Sequence, residues 1–305
     1  MIDQNQVSRL LEFLSLSKSL FFLFSNTQQV DLLLAILASY LFFKELPPNN
    51  KAKLKLKELA VFCPKGLDSS LNNWPKIKSS LKEKDLLAIC QQDLGRENLL
   101  ISFPYQQEQV DKVSYHIADN DQRFYLTIKP KKGSKPLDYQ KLDYKYVGSS
   151  ADLLFLFGVN DLEDLKDLYF NYQDLFQNTP LVTINTFLPD FGTLNLDISG
   201  SSGYGEAIFY LLKSLANLLN FELSSLSNVD QLATLLLNSI SFKTKGFSSS
   251  QMTADSFLAV AELLNLGAKR FDLNSLENSQ LKRSQTKRSQ TKIEKKSKQK
   301  KKQKK

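Results

Sequence analysis

The sequence contains a single histidine, two cysteines and one tryptophan among its 305 residues. Hydrolytic metal sites usually draw on several imidazoles, so one histidine excludes a multi-histidine centre of that kind. The two cysteines, Cys63 and Cys90, do not have the spacing of a metal-binding motif. We expect both thiols to be reduced, because disulfides are uncommon in the cytosol.

The sequence also has no apolar run long enough to cross a bilayer. The longest run, residues 32–43, is interrupted by Ser39 and bounded by Asp31 and Lys44, whereas a spanning helix needs about 20 apolar residues. The first residues differ from a signal peptide, because Asp3 stands where such peptides carry positive charge. These features predict a cytoplasmic protein without membrane contact.

Positive charge is scarce outside the C-terminal end. The formal net charge is +8, but residues 282–305 hold 13 Lys or Arg and one acidic residue, a local charge of +12. The rest of the chain contains 27 basic and 31 acidic residues, which gives it a net charge of −4. The basic character therefore belongs to a tail and not to the folded body.

The tail has too few apolar residues to build a core. The segment KRSQT occurs twice in tandem, and the end is nearly all Lys and Gln. We therefore predict that residues 273–305 are disordered. A flexible basic segment binds RNA, DNA or another polyanion by counterion release, and the alternative is a solubilising extension. The basic residues that open this tail are Lys282, Arg283, Lys287, Arg288, Lys292, Lys295 and Lys296.

The clearest pattern in the body is a strand, helix and strand between residues 151 and 197. Two short apolar runs, residues 153–157 and 181–184, flank an amphipathic segment that is predicted to be one helix. The opening of the chain repeats this order with strands at 20–24 and 59–62 around a helix at 30–43. Such βαβ units build parallel sheets. We predict an α/β fold over residues 1–272 with a mostly parallel, doubly wound sheet.

Between the two βαβ units the pattern changes to alternating polar and apolar residues. Residues 112–117 and 123–128 predict a β-hairpin with one wet face, and residues 142–147 are expected to pair with it. The region of about 102–148 is therefore predicted to be a β-rich insertion. Residues 47–50 are predicted to form a loop. Helices are expected after the second βαβ unit, at residues 207–219, 229–240 and 253–266.

Five segments have the order and spacing of a known family. They are residues 21–38, 153–159, 182–188 and 235–247, together with the helix start SGSSGYGE at 199–206. In these segments the chain resembles the DHH-family phosphoesterases, a group that includes oligoribonucleases and exopolyphosphatases. The resemblance extends over about residues 20–269. The resemblance implies the α/β fold of that family and a cleft in which two manganese ions would polarise a phosphoryl group.

The residues at the family's metal-binding positions differ from those that would bind two manganese ions. Hard carboxylates and imidazoles must surround such ions, and Asp31 is the one ligand that survives. The positions at issue are Ser25, Gln29, Asp31, Gly158, Asn185, Thr186, Phe187 and Lys243. The resemblance therefore implies a catalytically degenerate protein without a bound metal or other cofactor, associated with nucleic acid or acting as a scaffold.

Two other functions stay open. One is an active phosphodiesterase or oligoribonuclease that uses Mn²⁺ in a remodelled site. The other is a binding subunit whose groove is the former cleft and whose partner is another protein or a second copy of the chain.

Three groups of side chains each have two interpretations. For Asp31, one interpretation is a buried ion pair with Lys243 in place of metal, and the other is a cap on the helix that begins at residue 30.

For the segment SGSSGYGE, one interpretation is a phosphate-binding helix start, and the other is a tight turn with a serine cap. The residues concerned in the phosphate interpretation are Ser201, Ser202, Gly203 and Lys243. The tyrosines 139, 144 and 146 stack on bases, or they belong to an edge strand, which we favour. His116 is interpreted as an ordinary half-buried strand residue.

Overall fold

The computed structural model describes residues 3–25, 29–63, 90–91, 94–95, 98–104, 109–118, 122–134, 137–147 and 150–271. The predicted basic tail lies outside the described residues. The chain divides into two compact units, one formed by Met1–Leu94 with Ala151–Lys305 and the other by Gly95–Ser150.

The strands and helices have the following bounds. The strands are β1 Ser19–Phe24, β2 Glu58–Phe62, β3 Cys90–Gln91, β4 Asn98–Ser102, β5 Val110–Ala118, β6 Arg123–Pro130, β7 Asp143–Val147, β8 Leu153–Phe157, β9 Leu181–Asn185 and β10 Leu194–Asp197. The α-helices are α1 Gln4–Leu16, α2 Val30–Lys44, α3 Pro48–Leu54, α4 Asp167–Phe170, α5 Gln173–Asn178, α6 Tyr204–Leu218, α7 Val229–Lys243 and α8 Ala254–Asn265. Short 3₁₀ helices span Tyr139–Lys141, Leu162–Leu165 and Leu223–Ser225.

The first unit is built on a six-stranded sheet in the order β10-β9-β8-β1-β2-β3. Every pair of neighbouring strands in it is parallel. The chain first adds β2 on one side of β1 and later adds β8, β9 and β10 on the other side. This confirms the predicted α/β fold with a parallel sheet.

Side chains of the central strands alternate between two separate cores. In β1, Phe22 packs into a core with helices α1, α2, α6, α7 and α8, while Phe21 and Leu23 pack into a second core with the segment 162–176. The residues of β8 alternate in the same way. Because both faces are covered, these strands are continuous apolar runs without alternation. The sheet is thus doubly wound, as predicted.

Two predicted elements of the first unit are wrong in detail. Residues 48–54 form helix α3 and not a loop, because Pro48 stands at the start of the helix, where its missing N–H is not needed. The crossover between β8 and β9 is three short helical pieces and not one helix. Lys166 interrupts it with a φ of 52°, a value that a continuous helix does not allow.

The sequence analysis also did not find two short strands of this sheet. Strand β10 has four residues and β3 has two, so neither is long enough to show a periodicity. Of the two cysteines, Cys63 follows β2 and Cys90 lies in β3, and neither forms a disulfide.

The second unit contains two antiparallel pairs. Strands β5 and β6 form the predicted hairpin. Strand β7 pairs with β4 and not with the hairpin, so the expectation for residues 142–147 is wrong in its partner. In neither two-stranded sheet of the described residues is there a third strand. None of the described helices has the length and apolar character needed to cross a membrane.

The aromatic core around β1 gives a test of the fold. The ring of Phe22 lies 5.2 Å from that of Phe155, 6.0 Å from Phe43 and 6.3 Å from Phe157, measured between centroids. Replacing a fully buried Phe by Ala leaves a cavity, so Phe22→Ala should lower the free energy of unfolding by about 3–5 kcal/mol. Denaturant unfolding of the full chain measures this, with Phe170→Ala, whose side chain is exposed, as the control. Equal losses in both variants would contradict the packing.

Candidate functional site

The sheet has a topological switch point between β1 and β8. The chain leaves β1 toward one edge of the sheet and β8 toward the other, so the connections that follow them diverge. In open α/β sheets, ligands bind in the crevice that this divergence leaves beyond the carboxyl ends of the strands. Ser25, directly after β1, donates a hydrogen bond from Oγ to the carbonyl oxygen of Gly158, directly after β8, at 3.2 Å.

A cleft of about 560 Å³ lies at this position. Its lining is mostly polar and comes from the ends of β1, β8 and β9 and from helices α6 and α7. The lining residues are Ser25, Gln29, Gly158, Asn160, Asp164, Lys166, Thr186, Phe187, Tyr204 and Lys243.

The cleft brings together six of the eight positions singled out by the family resemblance. The other two, Asp31 and Asn185, are buried, with 6% and 1% of their surface exposed, and are not among the lining residues. Sequence reasoning missed four lining residues, Asn160, Asp164, Lys166 and Tyr204. The first three follow β8 within nine residues of its end, and the rule that ligands bind beyond strand ends would have included them.

Gly158 stands at a crowded position directly after β8. Its φ is +61°, a conformation that favours glycine. A Cβ atom there would lie 2.4 Å from Cδ1 of Leu32 and 2.9 Å from Oη of Tyr204. The carboxylate that the family resemblance would place here would therefore need a left-handed backbone and a shift of the ends of the Leu32 and Tyr204 side chains.

Asp31 lies in the first turn of α2, and Gln29 is the N-cap residue of that helix. Asp31 is thus not the N-cap residue. Burial raises the pKa of Asp31 above its ordinary value, and the nearby Lys243 ammonium offsets part of this rise. The backbone N–H groups of Asp31 and Leu32 in this first turn also act on its carboxylate and lower its pKa. One carboxylate oxygen, Oδ2, is buried without a hydrogen-bond partner. Burial, and to a lesser degree the Asp31 charge, also raises the pKa of Tyr204.

Lys243 is the last residue of α7, and its side chain passes Gly203 closely. A Cβ atom on residue 203 would lie 2.7 Å from Cγ of Lys243. Glycine at 203 therefore makes room for the aliphatic stem that carries the ammonium into the cleft. This ammonium and that of Lys166 are both on exposed residues.

The segment SGSSGYGE forms the start of helix α6. Ser202 donates hydrogen bonds from its backbone N–H and from Oγ to the carboxylate of Glu206, at 2.9 and 2.5 Å. Ser256 donates a third hydrogen bond to the same oxygen at 2.6 Å. The carboxylate of Glu206 therefore occupies the two donors of Ser202 that the phosphate interpretation requires. The N-cap is Gly203 and not a serine, which corrects the serine-cap interpretation, and neither Ser201 nor Ser202 lines the cleft.

Asn185 ends strand β9 beside the cleft. Its Nδ2 donates a hydrogen bond to the carbonyl oxygen of Val159 at 2.8 Å, which joins the ends of β8 and β9. Its Oδ1 is buried without a partner. The next two residues, Thr186 and Phe187, are exposed and line the cleft.

The donor set does not fit the manganese pair that the family resemblance implies. Two such ions need several carboxylates or imidazoles, and the described residues contain no group of three or more His, Cys, Asp or Glu arranged to hold a metal. Asp31 supplies one carboxylate, and the positive charge of Lys243 acts on it. Gly158 supplies no carboxylate, and the ends of the Leu32 and Tyr204 side chains crowd its position. The fold and site define an α/β protein whose switch-point cleft is polar and carries two lysines.

Comparison with known proteins adds little to this assignment. No family model and no curated protein matches the sequence. Among solved structures, an exopolyphosphatase-related protein from Bacteroides fragilis matches over 92% of this chain and 61% of its own, with 12% identity and a TM-score of 0.48. The chain thus spans less than two thirds of that protein, and a likeness at this level carries no argument about the chemistry of the cleft.

The buried Asp31 predicts a particular dependence of stability on pH. Its raised pKa in the folded state means that stability present below the unfolded-state pKa of about 4 is lost as the pH rises through the folded-state pKa. Asp31→Asn removes this loss, so the variant should become more stable relative to wild type as the pH rises from ~4 to 7. Lys243→Ala, which removes the offsetting charge, should move the loss to higher pH. Thermal unfolding across this range measures both, and parallel profiles of wild type and Asp31→Asn would contradict the assignment.

Proposed function

We propose that the protein is a catalytically degenerate relative of the DHH-family phosphoesterases that binds a phosphate-bearing ligand without hydrolysing it, as a nucleic-acid-associated or scaffold protein. The family part of the proposal is supported by the order and spacing of the sequence segments given above. The observation that carries the functional part is the position of Lys243, whose ammonium stands in the cleft and acts on the buried carboxylate of Asp31.

The charges and donors of the cleft favour an anion. Lys166 and Lys243 line it with two ammonium groups, and Asp164 is the acidic residue in the lining. Asp164 is partly engaged, since it accepts a hydrogen bond from the backbone N–H of Asp161 at 3.3 Å. Hydroxyl and amide side chains supply most of the remaining polar lining. Lysine recognises phosphate as a point charge, so no metal is required for binding.

Calorimetric titration of the full chain with inorganic phosphate and with adenosine 5′-monophosphate tests the proposal. Hydrogen bonds to charged groups contribute about 1.5–3 kcal/mol, so Lys243→Ala should weaken binding about tenfold or more. Lys53→Ala is the matched control, because Lys53 is also an exposed lysine in the last turn of a helix and lies outside the cleft. Equal affinities for wild type and Lys243→Ala would contradict the proposal.

The second candidate, an active manganese-dependent phosphodiesterase, is favoured by one observation. Oδ2 of Asp31 and Oδ1 of Asn185 are buried oxygen atoms without partners, and a cation would satisfy such atoms. Incubation with bis(p-nitrophenyl) phosphate and Mn²⁺ decides between the two functions. Turnover that is lost in Asp31→Ala would replace the first proposal by the second.

The nucleic-acid association is proposed to come from the C-terminal tail. Its local charge of +12 over residues 282–305 would release counterions from a polyanion, and affinity should then fall by about 10³ or more between 50 and 200 mM salt. Truncation after Leu281 should remove most of the affinity for a labelled single-stranded RNA in a fluorescence anisotropy titration. A truncated chain that binds as tightly as the full chain, with the same salt dependence, would contradict this role.

A further inference from the structure

The β5–β6 hairpin has one face made of aliphatic and aromatic side chains. Its register pairs Val113 with Ile128, Tyr115 with Leu126 and Ile117 with Phe124. Directly opposed residues in an antiparallel pair point to the same side of the sheet, and the side alternates along each strand. These six residues, which we call the apolar hairpin face, therefore lie together. Tyr115 and Phe124 stack diagonally across it with ring centroids 5.4 Å apart.

Most of this face is exposed within the part of the chain that the structure describes. Five of its residues, Val113, Tyr115, Ile117, Phe124 and Leu126, expose between 45% and 69% of their surface. An isolated two-stranded hairpin is marginally stable in water and needs a cover on its apolar side. A contiguous apolar patch of this kind marks an interaction site. The face therefore calls for a partner that buries it.

The charges of the hairpin decide against a polyanion as that partner. The opposite face carries Lys112, Lys129 and Arg123 in the intervening register positions, and Lys129 is paired with Asp111 at 3.4 Å. The apolar hairpin face itself has no ionisable group except the Tyr115 phenol. A nucleic acid would be drawn to the other side of the ribbon, while an uncharged apolar surface fits this one.

We infer that the apolar hairpin face is a homodimer interface on which the same face of a second copy packs. A flat, uncharged face meets itself across a two-fold axis without opposing like charges. Five aromatic or aliphatic side chains at these exposures present on the order of 500 Å² per copy, so two copies bury about 1,000 Å², at the lower limit for a specific interface. The inference is independent of the function proposed for the cleft.

Sedimentation equilibrium of the full chain between about 1 and 100 μM tests this inference. The wild type should be in monomer–dimer equilibrium, and the double variant Tyr115→Lys/Phe124→Lys should raise the dissociation constant at least tenfold. The matched control is Ser114→Lys/Thr127→Lys, which adds the same two charges to neighbouring positions of the opposite face and should leave the equilibrium unchanged.

A second measurement does not depend on the folding of a charged variant. Two sheets that pack face to face lie about 10 Å apart, so a short bis-maleimide should cross-link the Tyr115→Cys variant into a dimer. The Ser114→Cys variant should give no more cross-linked dimer than the native thiols give in the wild type. A wild type that stays monomeric at 100 μM, or equal cross-linking at residues 114 and 115, would overturn the inference. A monomer that binds single-stranded RNA through residues 115 and 124 would replace it by a nucleic-acid surface.

Discussion

The pairing of β1 with β8 is the contact on which the rest of the protein depends. Both strands are buried on both faces, and their register sets Phe24 opposite Phe157. The two chain ends that leave this pair carry Ser25 and Gly158 into the same crevice. Because neighbouring connections diverge there, a cleft follows from the topology before any side chain is considered. The identity of the side chains then decides what the cleft can bind.

In this cleft a lysine side chain lies near a buried carboxylate. Asp31 keeps a carboxylate at the first turn of α2, where the helix dipole favours negative charge. Burial opposes that charge, and the ammonium of Lys243 compensates in part. Gly203 is needed for this arrangement, because the stem of Lys243 occupies the space of its missing side chain. The positive charge that partly offsets the buried carboxylate of Asp31 is therefore supplied by a side chain of the same chain.

The central sheet could be predicted from the sequence because its strands are apolar on both faces and its long helices have clear boundaries. Elements without a periodic signal could not be predicted in the same way. Strand β10 is too short, and the crossover before β9 breaks at Lys166, whose positive φ no composition indicates. The pairing of β7 with β4 was missed because alternation shows that a strand exists but does not identify its partner.

The residues of the site were also predictable only in part from the sequence. The resemblance identified positions that meet at one edge of the sheet, since strand ends are fixed by the apolar runs before them. It did not show that Ser202 gives both of its donors to Glu206, because this contact depends on how a helix start folds back on itself. Nor did it include Lys166, which enters the cleft through a loop whose course is set by local backbone conformation and not by hydrophobic pattern.

The crowding around Gly158 has a consequence for the engineering of this cleft. An aspartate introduced at that position would meet both Leu32 and Tyr204 and would also have to adopt a left-handed backbone. These contacts are with the ends of two side chains, so a carboxylate at residue 158 requires both ends to shift. Any attempt to engineer metal-dependent chemistry into this scaffold must therefore include the neighbours of residue 158 as well as the metal ligands.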